Sequence, residues 1–303
     1  MGRDKRETSN FLKRLSDKPI EALMFLCAIS SIVFLFLMLL FIAKEGMQAF
    51  FTFGINFITG PVWETNSNLY GALPIIYGSL MVVAGALMIA IPIGVATAIF
   101  IQEVLPFSIR DIVKSTIELL ASIPSIIYGF IGMLFLAPQI ASIFGPSSGT
   151  VALTASLVLG IMAVPTIMSV SGETLAAVTK EYKEAALALG ATKWQVLKEV
   201  VVPTAKSGIF ASVMLGFGRA IGETVAVLMV AGNVALIPTP PWNFLSPVYT
   251  LTAVIAMQMG EAAVGTLEYS ALFGLGLILF IIAFVVNLLA DMFAKKATKG
   301  RKV

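Results

Sequence analysis

Apolar residues in this chain come in long, nearly unbroken runs, with the polar residues gathered into blocks between them. The runs extend approximately from Ile20 to Ala43, Leu73 to Ile101, Ile112 to Ala137, Val151 to Val170, Gly208 to Ala231 and Leu272 to Met292. About 20 apolar residues in a helix cover the roughly 30 Å of bilayer hydrocarbon, and each run reaches that length. The pattern predicts an all-α membrane protein of six transmembrane helices, with a polar tail over 1–19, one membrane domain over 20–293 and a second tail over 294–303. A cleavable leader carries an apolar stretch of only about 7–15 residues, so the first run reads as a retained signal-anchor. A weaker run from Tyr249 to Gly260 is too short to span. It reads either as a short helix lying on or dipping into the membrane face, or as a structured loop.

Charge adds sidedness to this pattern. Assigning the loops alternately to two sides brings together Arg3, Lys5, Arg6, Lys13, Arg14 and Lys18 of the first tail, Arg110 and Lys114, the segment from Lys180 to Lys206, and Lys295 to Lys302. The other side holds Lys44 with Glu45, Glu64, Glu261 and Glu268. The positive-inside rule then predicts that both termini are cytoplasmic. A span count wrong by one would scatter the bases, so the sorting also supports six.

Composition agrees: 303 residues that are 58% hydrophobic and 12% charged, with mean hydropathy +0.95, belong in lipid. The net charge of +3 comes from bases beside the spans rather than from a nucleic-acid surface. The single cysteine, Cys27, lies in the first run and reads as a small packing residue, with no disulfide framework. The chain has no histidine, which excludes histidine metal sites, Ser-His-Asp triads and histidine proton relays. No metal-ligand cluster and no nucleophile-base pair stand out, so an enzyme is disfavoured.

The basic loop over 172–206 is patterned more closely than a linker requires. Glu181 to Leu189 is rich in helix formers, and Gly190 stands where a C-terminal helix glycine belongs. Thr192 precedes Gln195 by three residues, a capping-box spacing that starts a second helix through Trp194, Leu197, Val200 and Val201 until Pro203 ends it. The product is a helix-turn-helix on the cytoplasmic side, with small residues at Ala185, Ala186 and Gly190 leaving a shallow surface for a partner's side chains. Glu184-Ala185-Ala186, then Gly190, then Val200, Val202 and Pro203 resemble the EAA loop of bacterial ABC importer inner-membrane permeases, with Val in place of the usual Ile and Leu. Three further stretches, Glu118 to Gly129, Gly218 to Thr224 and Leu251 to Ala256, resemble the PstC-type phosphate permeases within that family more closely than their PstA paralogues.

The resemblance implies a coupling surface at Glu184, Ala185, Ala186 and Gly190 that docks into a cytoplasmic ATPase. It also implies a second, PstA-like permease subunit, two ATPase subunits and an extracytoplasmic phosphate-binding protein. No G-x-x-x-x-G-K-[ST] loop is present, so the chain is expected to bind no cofactor itself, with ATP and magnesium on the separate ATPase. The implied location is the bacterial inner membrane.

One charge pair lies inside a predicted span. Arg219 falls near the middle of the fifth, where a charge costs about 2.5–3.5 kcal/mol, and Glu223 follows at i+4, so a direct ion pair on one helical face is sterically possible. A structural pair is one reading. The other is that Arg219 faces an intermittently hydrated pathway and grips an oxyanion with its planar fork of donors. Glu223 would then accept a hydrogen bond from the proton that phosphate still carries near neutral pH and sulfate does not, or would hold the arginine in place. Gly218 and Gly222 have a helix-packing spacing, and Pro92, Pro124 and Pro165 are expected to bend their spans. Ser125 and Tyr128, beside one such bend, are further pathway candidates. Rival functions are a permease for sulfate or molybdate and a secondary anion transporter, though the latter has no use for an EAA loop.

Overall fold

The computed structural model describes the backbone over residues 2–299 and the side chains over residues 21–292, so the side chains of both basic tails lie outside the described residues. Helix α1 (Gly2–Phe53) is followed by a short helix α2 (Asn56–Thr59) and a two-residue antiparallel pair, β1 (Trp63–Glu64) with β2 (Leu69–Tyr70). Then come α3 (Leu73–Ile99), α4 (Phe107–Ala121), α5 (Ser125–Ile131), α6 (Ala137–Phe144) and α7 (Ala152–Ala176). The basic loop over 172–206 holds α8 (Lys180–Ala188) and α9 (Lys193–Gln195), and the elements after it are α10 (Val202–Ile221), α11 (Val225–Val230), α12 (Leu251–Gln258) and α13 (Leu267–Lys299).

Six helical stretches among the described residues are long and apolar enough to cross a membrane: Glu21–Phe53, Leu73–Val104, Ser125–Phe144, Ala152–Ala176, Lys193–Ile221 and Leu267–Met292. The count matches the apolar runs, but the bounds differ, most of all in the third and fifth spans. The third span starts at Ser125 rather than near Ile112, because α4 is amphipathic: it carries Arg110, Asp111, Lys114 and Glu118 and buries no residue fully. It stops before Pro124, with the Ser122 hydroxyl returned to the Leu119 carbonyl at 2.7 Å. The fifth span begins 15 residues earlier than the run from Gly208 implied, at Lys193, and ends at Ile221 rather than Ala231.

Pro203 does not end the second helix of this loop. A π-helical turn over Val196–Val201 precedes it, and the helix runs on into α10. The same device recurs, with π turns over Gly132–Leu136 and Phe100–Val104 followed two residues later by Pro138 and Pro106. Proline lacks an N–H and its ring clashes with the preceding turn, and widening that turn to i→i+5 hydrogen bonds gives the ring room. At Pro138 and Pro203 the helix continues, whereas at Pro106 the chain turns away.

Helices α3 and α7 form the centre of the bundle. Met81, Val82, Val83 and Ala86 of α3 pack on Ala155, Val158, Leu159 and Met162 of α7, with Ala220, Ala226, Val227 and Val230 closing the cluster. The approach is close enough that a methyl group on Gly94 would lie 2.9 Å from Ile167 Cγ2, and one on Gly216 2.7 Å from Ile167 Cγ1. Ile167 is thus clasped between α3 and α10. Gly218 and Gly222 show no such approach: the nearest atom to a methyl on Gly218 is Asn287 Oδ1, at 3.7 Å.

Helix α1 lies against α13, and its apolar residues from Leu23 to Met38 are exposed, as is Cys27. At the acid-bearing end, Phe57, Trp63, Tyr70, Tyr249, Leu251 and Leu272 form a second cluster, pinned by the Trp63 indole donating to Gln258 Oε1 at 3.0 Å. The Tyr249–Gly260 run does form a helix, α12, with Leu251, Thr252, Ala253 and Val254 buried. The Leu251 N–H donates to Ser79 Oγ at 2.8 Å. Ser79 stands six residues inside the start of α3, about 9 Å along the axis, so α12 dips into the bundle rather than lying across its end.

Candidate functional site

The fifth span breaks where the sequence concentrates its polar groups. Helix α10 stops at Ile221, Gly222 and Glu223 leave the helix, and α11 starts at Val225. The freed backbone groups find partners, as groups away from water must. The Glu223 carboxylate accepts the Ala226 N–H at 3.3 Å and so braces the first turn of α11. The Glu223 carbonyl accepts the Thr252 hydroxyl of α12 at 2.8 Å, and the Thr224 hydroxyl reaches the Gly222 carbonyl at 3.4 Å. Ser79, Thr250, Thr252, Glu223 and Val227 line a small cavity at the break.

Because the helix ends between them, Arg219 and Glu223 do not share a helical face, and their ion pair is not among those formed by the described residues. Arg219 instead donates from Nη1 to Thr166 Oγ1, at 2.9 Å, and is exposed on the flank of this chain. Thr166 lies near the middle of the span Ala152–Ala176, which puts the guanidinium well inside the membrane zone. Tyr128 is half-buried against the central cluster and within electrostatic reach of Arg219, and its hydroxyl donates to the Leu120 carbonyl at 2.7 Å. Ser125 opens α5 three residues earlier, half-buried. Folding therefore ties Arg219 to Thr166 and leaves it within electrostatic reach of Tyr128, while Glu223 braces the break. Thr166, Thr252 and Ser79 carry no signal as isolated hydroxyls, although Thr252 sits in the stretch from Leu251 to Ala256.

One turn below Thr166 on α7, the Ser169 hydroxyl donates to Glu118 Oε1 of α4 at 2.9 Å, and Lys114 lies 3.7 Å from the same carboxylate. This polar edge leads from Arg219 toward the base-bearing end.

At that end the loop over 172–206 has the expected local geometry. Gly190 takes φ +87°, its N–H bonds to the Leu187 carbonyl at 3.0 Å, and the Ala191 N–H bonds to the Ala186 carbonyl at 3.1 Å, which is a Schellman closure of α8. The capping box forms: Thr192 N–H to Gln195 Oε1 at 2.7 Å, and Gln195 N–H to Thr192 Oγ1 at 3.3 Å. Glu184, Ala185 and Gly190 are exposed, whereas Ala186 turns inward onto a cluster with Ile101, Val196 and Val201. The most exposed apolar groups here are Leu189 at 89%, Trp194 at 68% and Tyr182 at 56%, an outward knob that helix-former composition alone did not single out.

Residues 90–299 match the family of binding-protein-dependent transport system inner membrane components. The chain is 38% identical over 268 residues to the probable ABC transporter permease protein YqgH of Bacillus subtilis, covering 87% of this chain and 86% of that one. It is 38% identical over 262 residues to the phosphate transport system permease protein PstC of Mesorhizobium japonicum, covering 80% and 79%. In fold it is similar to a chain of a bacterial alginate ABC transporter solved in complex with an alginate pentasaccharide-bound periplasmic protein. That match has a TM-score of 0.61 at 17% identity and covers 94% of this chain and 98% of that one.

Proposed function

The chain belongs to the family of binding-protein-dependent transport system inner membrane components, and on that premise we propose that it is the PstC-type permease subunit of an ATP-driven importer carrying inorganic phosphate into the cytoplasm. The observation that carries the reading to this chain's own chemistry is Arg219, exposed at membrane depth and anchored through one nitrogen to Thr166. A guanidinium facing hydrocarbon costs about 2.5–3.5 kcal/mol, so that flank borders a wet, protein-lined space. With Nη1 committed to Thr166, the remaining N–H groups of Arg219 point a planar fork at that space, the arrangement that pairs with two oxygens of an oxyanion.

Ser125 and Tyr128 line the same space beside Arg219. Glu223 serves as the brace of the break, consistent with its bond to the Ala226 N–H, rather than as the acceptor of a hydrogen bond from the cargo's proton. Both termini and the coupling loop face the cytoplasm, where Glu184, Ala185, Ala186 and Gly190, with the knob of Leu189 and Trp194, dock on an ATPase that holds ATP and magnesium. A second, PstA-like permease completes the pathway, a second ATPase completes the hydrolytic pair, and an extracytoplasmic phosphate-binding protein delivers the cargo.

The test is uptake by the complex reconstituted in vesicles, comparing phosphate, sulfate and molybdate. Phosphate should be taken up in preference to both, and preferential uptake of sulfate or molybdate would overturn the cargo. Glu223→Gln keeps an oxygen for the Ala226 N–H, so it should preserve both the rate and the rejection of sulfate. Loss of that rejection would return Glu223 to the hydrogen-bond-accepting role.

A further inference from the structure

The coupling helix meets the bundle through Ala186, packed on the Ile101 cluster, and through a short ion pair. Lys183 of α8 meets Glu103 at 2.6 Å, both side chains largely buried at 24% and 19% exposure, across 80 residues of sequence. Glu103 stands on the π turn that prolongs α3, and that turn is held from its other side as well: Arg110 donates to Gln102 Oε1 and to the Leu105 carbonyl, each at 3.3 Å. At the opposite end of the same span, Ser79 receives the Leu251 N–H of α12 at 2.8 Å, and the next residue, Thr252, donates to the Glu223 carbonyl at 2.8 Å. Glu223 is the break residue four positions beyond Arg219. Twenty-four residues separate Ser79 from Glu103, about 36 Å of helix.

The stretch between these anchors is not free to flex independently. Pro92 removes one hydrogen bond from it, but α7 packs on it on both sides of that position: Val82 and Ala86 lie against Ala155 and Leu159, Ile167 fills the space over Gly94, and Ile101 packs with Met168. Displacement of Lys183 therefore carries the span with it, and the far end of the span is bonded to the helix that holds the break.

We propose that span two is the rod of a relay, with Glu103 and Lys183 as positioning residues that pass movement of the coupling helix through Ser79 and α12 to the break beside Arg219. The proposal rests on the importer reading. Its readout is the stimulation of ATP hydrolysis by the binding protein in the reconstituted complex, which does not depend on which oxyanion is carried, so a wrong cargo and a wrong relay are told apart.

Glu103→Gln should lower that stimulation at least about fivefold, the lower range of coupling between distant sites, with the subunits still co-purifying. The exchange Glu103→Lys with Lys183→Glu should restore it, because the pair re-forms with its ends reversed. Ser79→Ala, at the other end of the rod, should give the same loss, and combining it with Glu103→Gln should add little, since both interrupt one path. Should Glu103→Gln assemble poorly, Glu103→Asp, which keeps the charge, should assemble and couple near the wild-type level. Wild-type stimulation in Glu103→Gln, failure of the exchange to restore it in an assembled complex, or full additivity with Ser79→Ala would each overturn the relay.

Discussion

The two irregular ends of the fifth span contain the residues that usually stop helices, and they behave in opposite ways. At Pro203 the helix continues: the preceding turn widens over Val196–Val201, and Val196, Val201 and Ala205 are buried against Ile101 and Met168. At Gly222 the helix stops, with no proline present, and α12 supplies the Thr252 hydroxyl to the Glu223 carbonyl. The difference teaches that a breaking residue sets only the local cost. Whether the helix breaks depends on what neighbouring elements offer to the backbone groups that a break would free.

The break end should be the more sensitive to chemistry. Arg219→Gln should reduce phosphate uptake by at least about 30-fold, the effect of truncating a charge that pairs with a ligand, without loss of membrane insertion. Arg219→Lys should recover only part of the rate, because a point charge cannot reproduce the fork. Equal uptake by the glutamine variant and the wild type would remove Arg219 from the pathway.

The coupling end should be sensitive to surface rather than to core. Leu189→Lys replaces a residue that is 89% exposed at the C-terminal end of α8, where a cation suits the helix dipole, so folding should change by no more than about 0.5 kcal/mol. Association with the ATPase should nevertheless weaken roughly tenfold, measured by co-purification or titration, as for a well-packed interface residue. Unchanged association would show that the apolar knob is not the docking surface.

Two smaller effects address the comparison itself. Thr252→Val removes the hydroxyl that satisfies the Glu223 carbonyl and should lower stability by about 1–3 kcal/mol, seen as a reduced thermal midpoint of the detergent-solubilised complex. Pro203→Ala restores an N–H to a helix that already runs through this point, so the midpoint should move by less than about 1 kcal/mol equivalent in either direction, with uptake intact. A large loss from Pro203→Ala, or none from Thr252→Val, would invert the account of the two ends.

What the sequence determined by itself was whatever a few consecutive residues decide. Six apolar runs had to be six membrane-crossing helices, because unpaired backbone groups are intolerable in lipid and only length and apolarity are needed to bury them. The Thr192–Gln195 box and the Gly190 closure were legible for the same reason, since each is a hydrogen-bonding pattern within five residues. The EAA pattern and the charge of Arg219 were visible as residue types. Tertiary structure decided everything that needs a partner from elsewhere in the chain. The run from Ile112 split because one face of α4 is charged and leans on α7, which hydropathy averaged over a window cannot register. Arg219 bonds to Thr166 across 53 residues rather than to Glu223 across four, because the helix that would have joined the pair is released by Thr252, itself 29 residues from Glu223. Such contacts depend on which spans are neighbours. That arrangement is settled by the packing of small residues along α3, α7 and α10, and no short stretch of sequence encodes it.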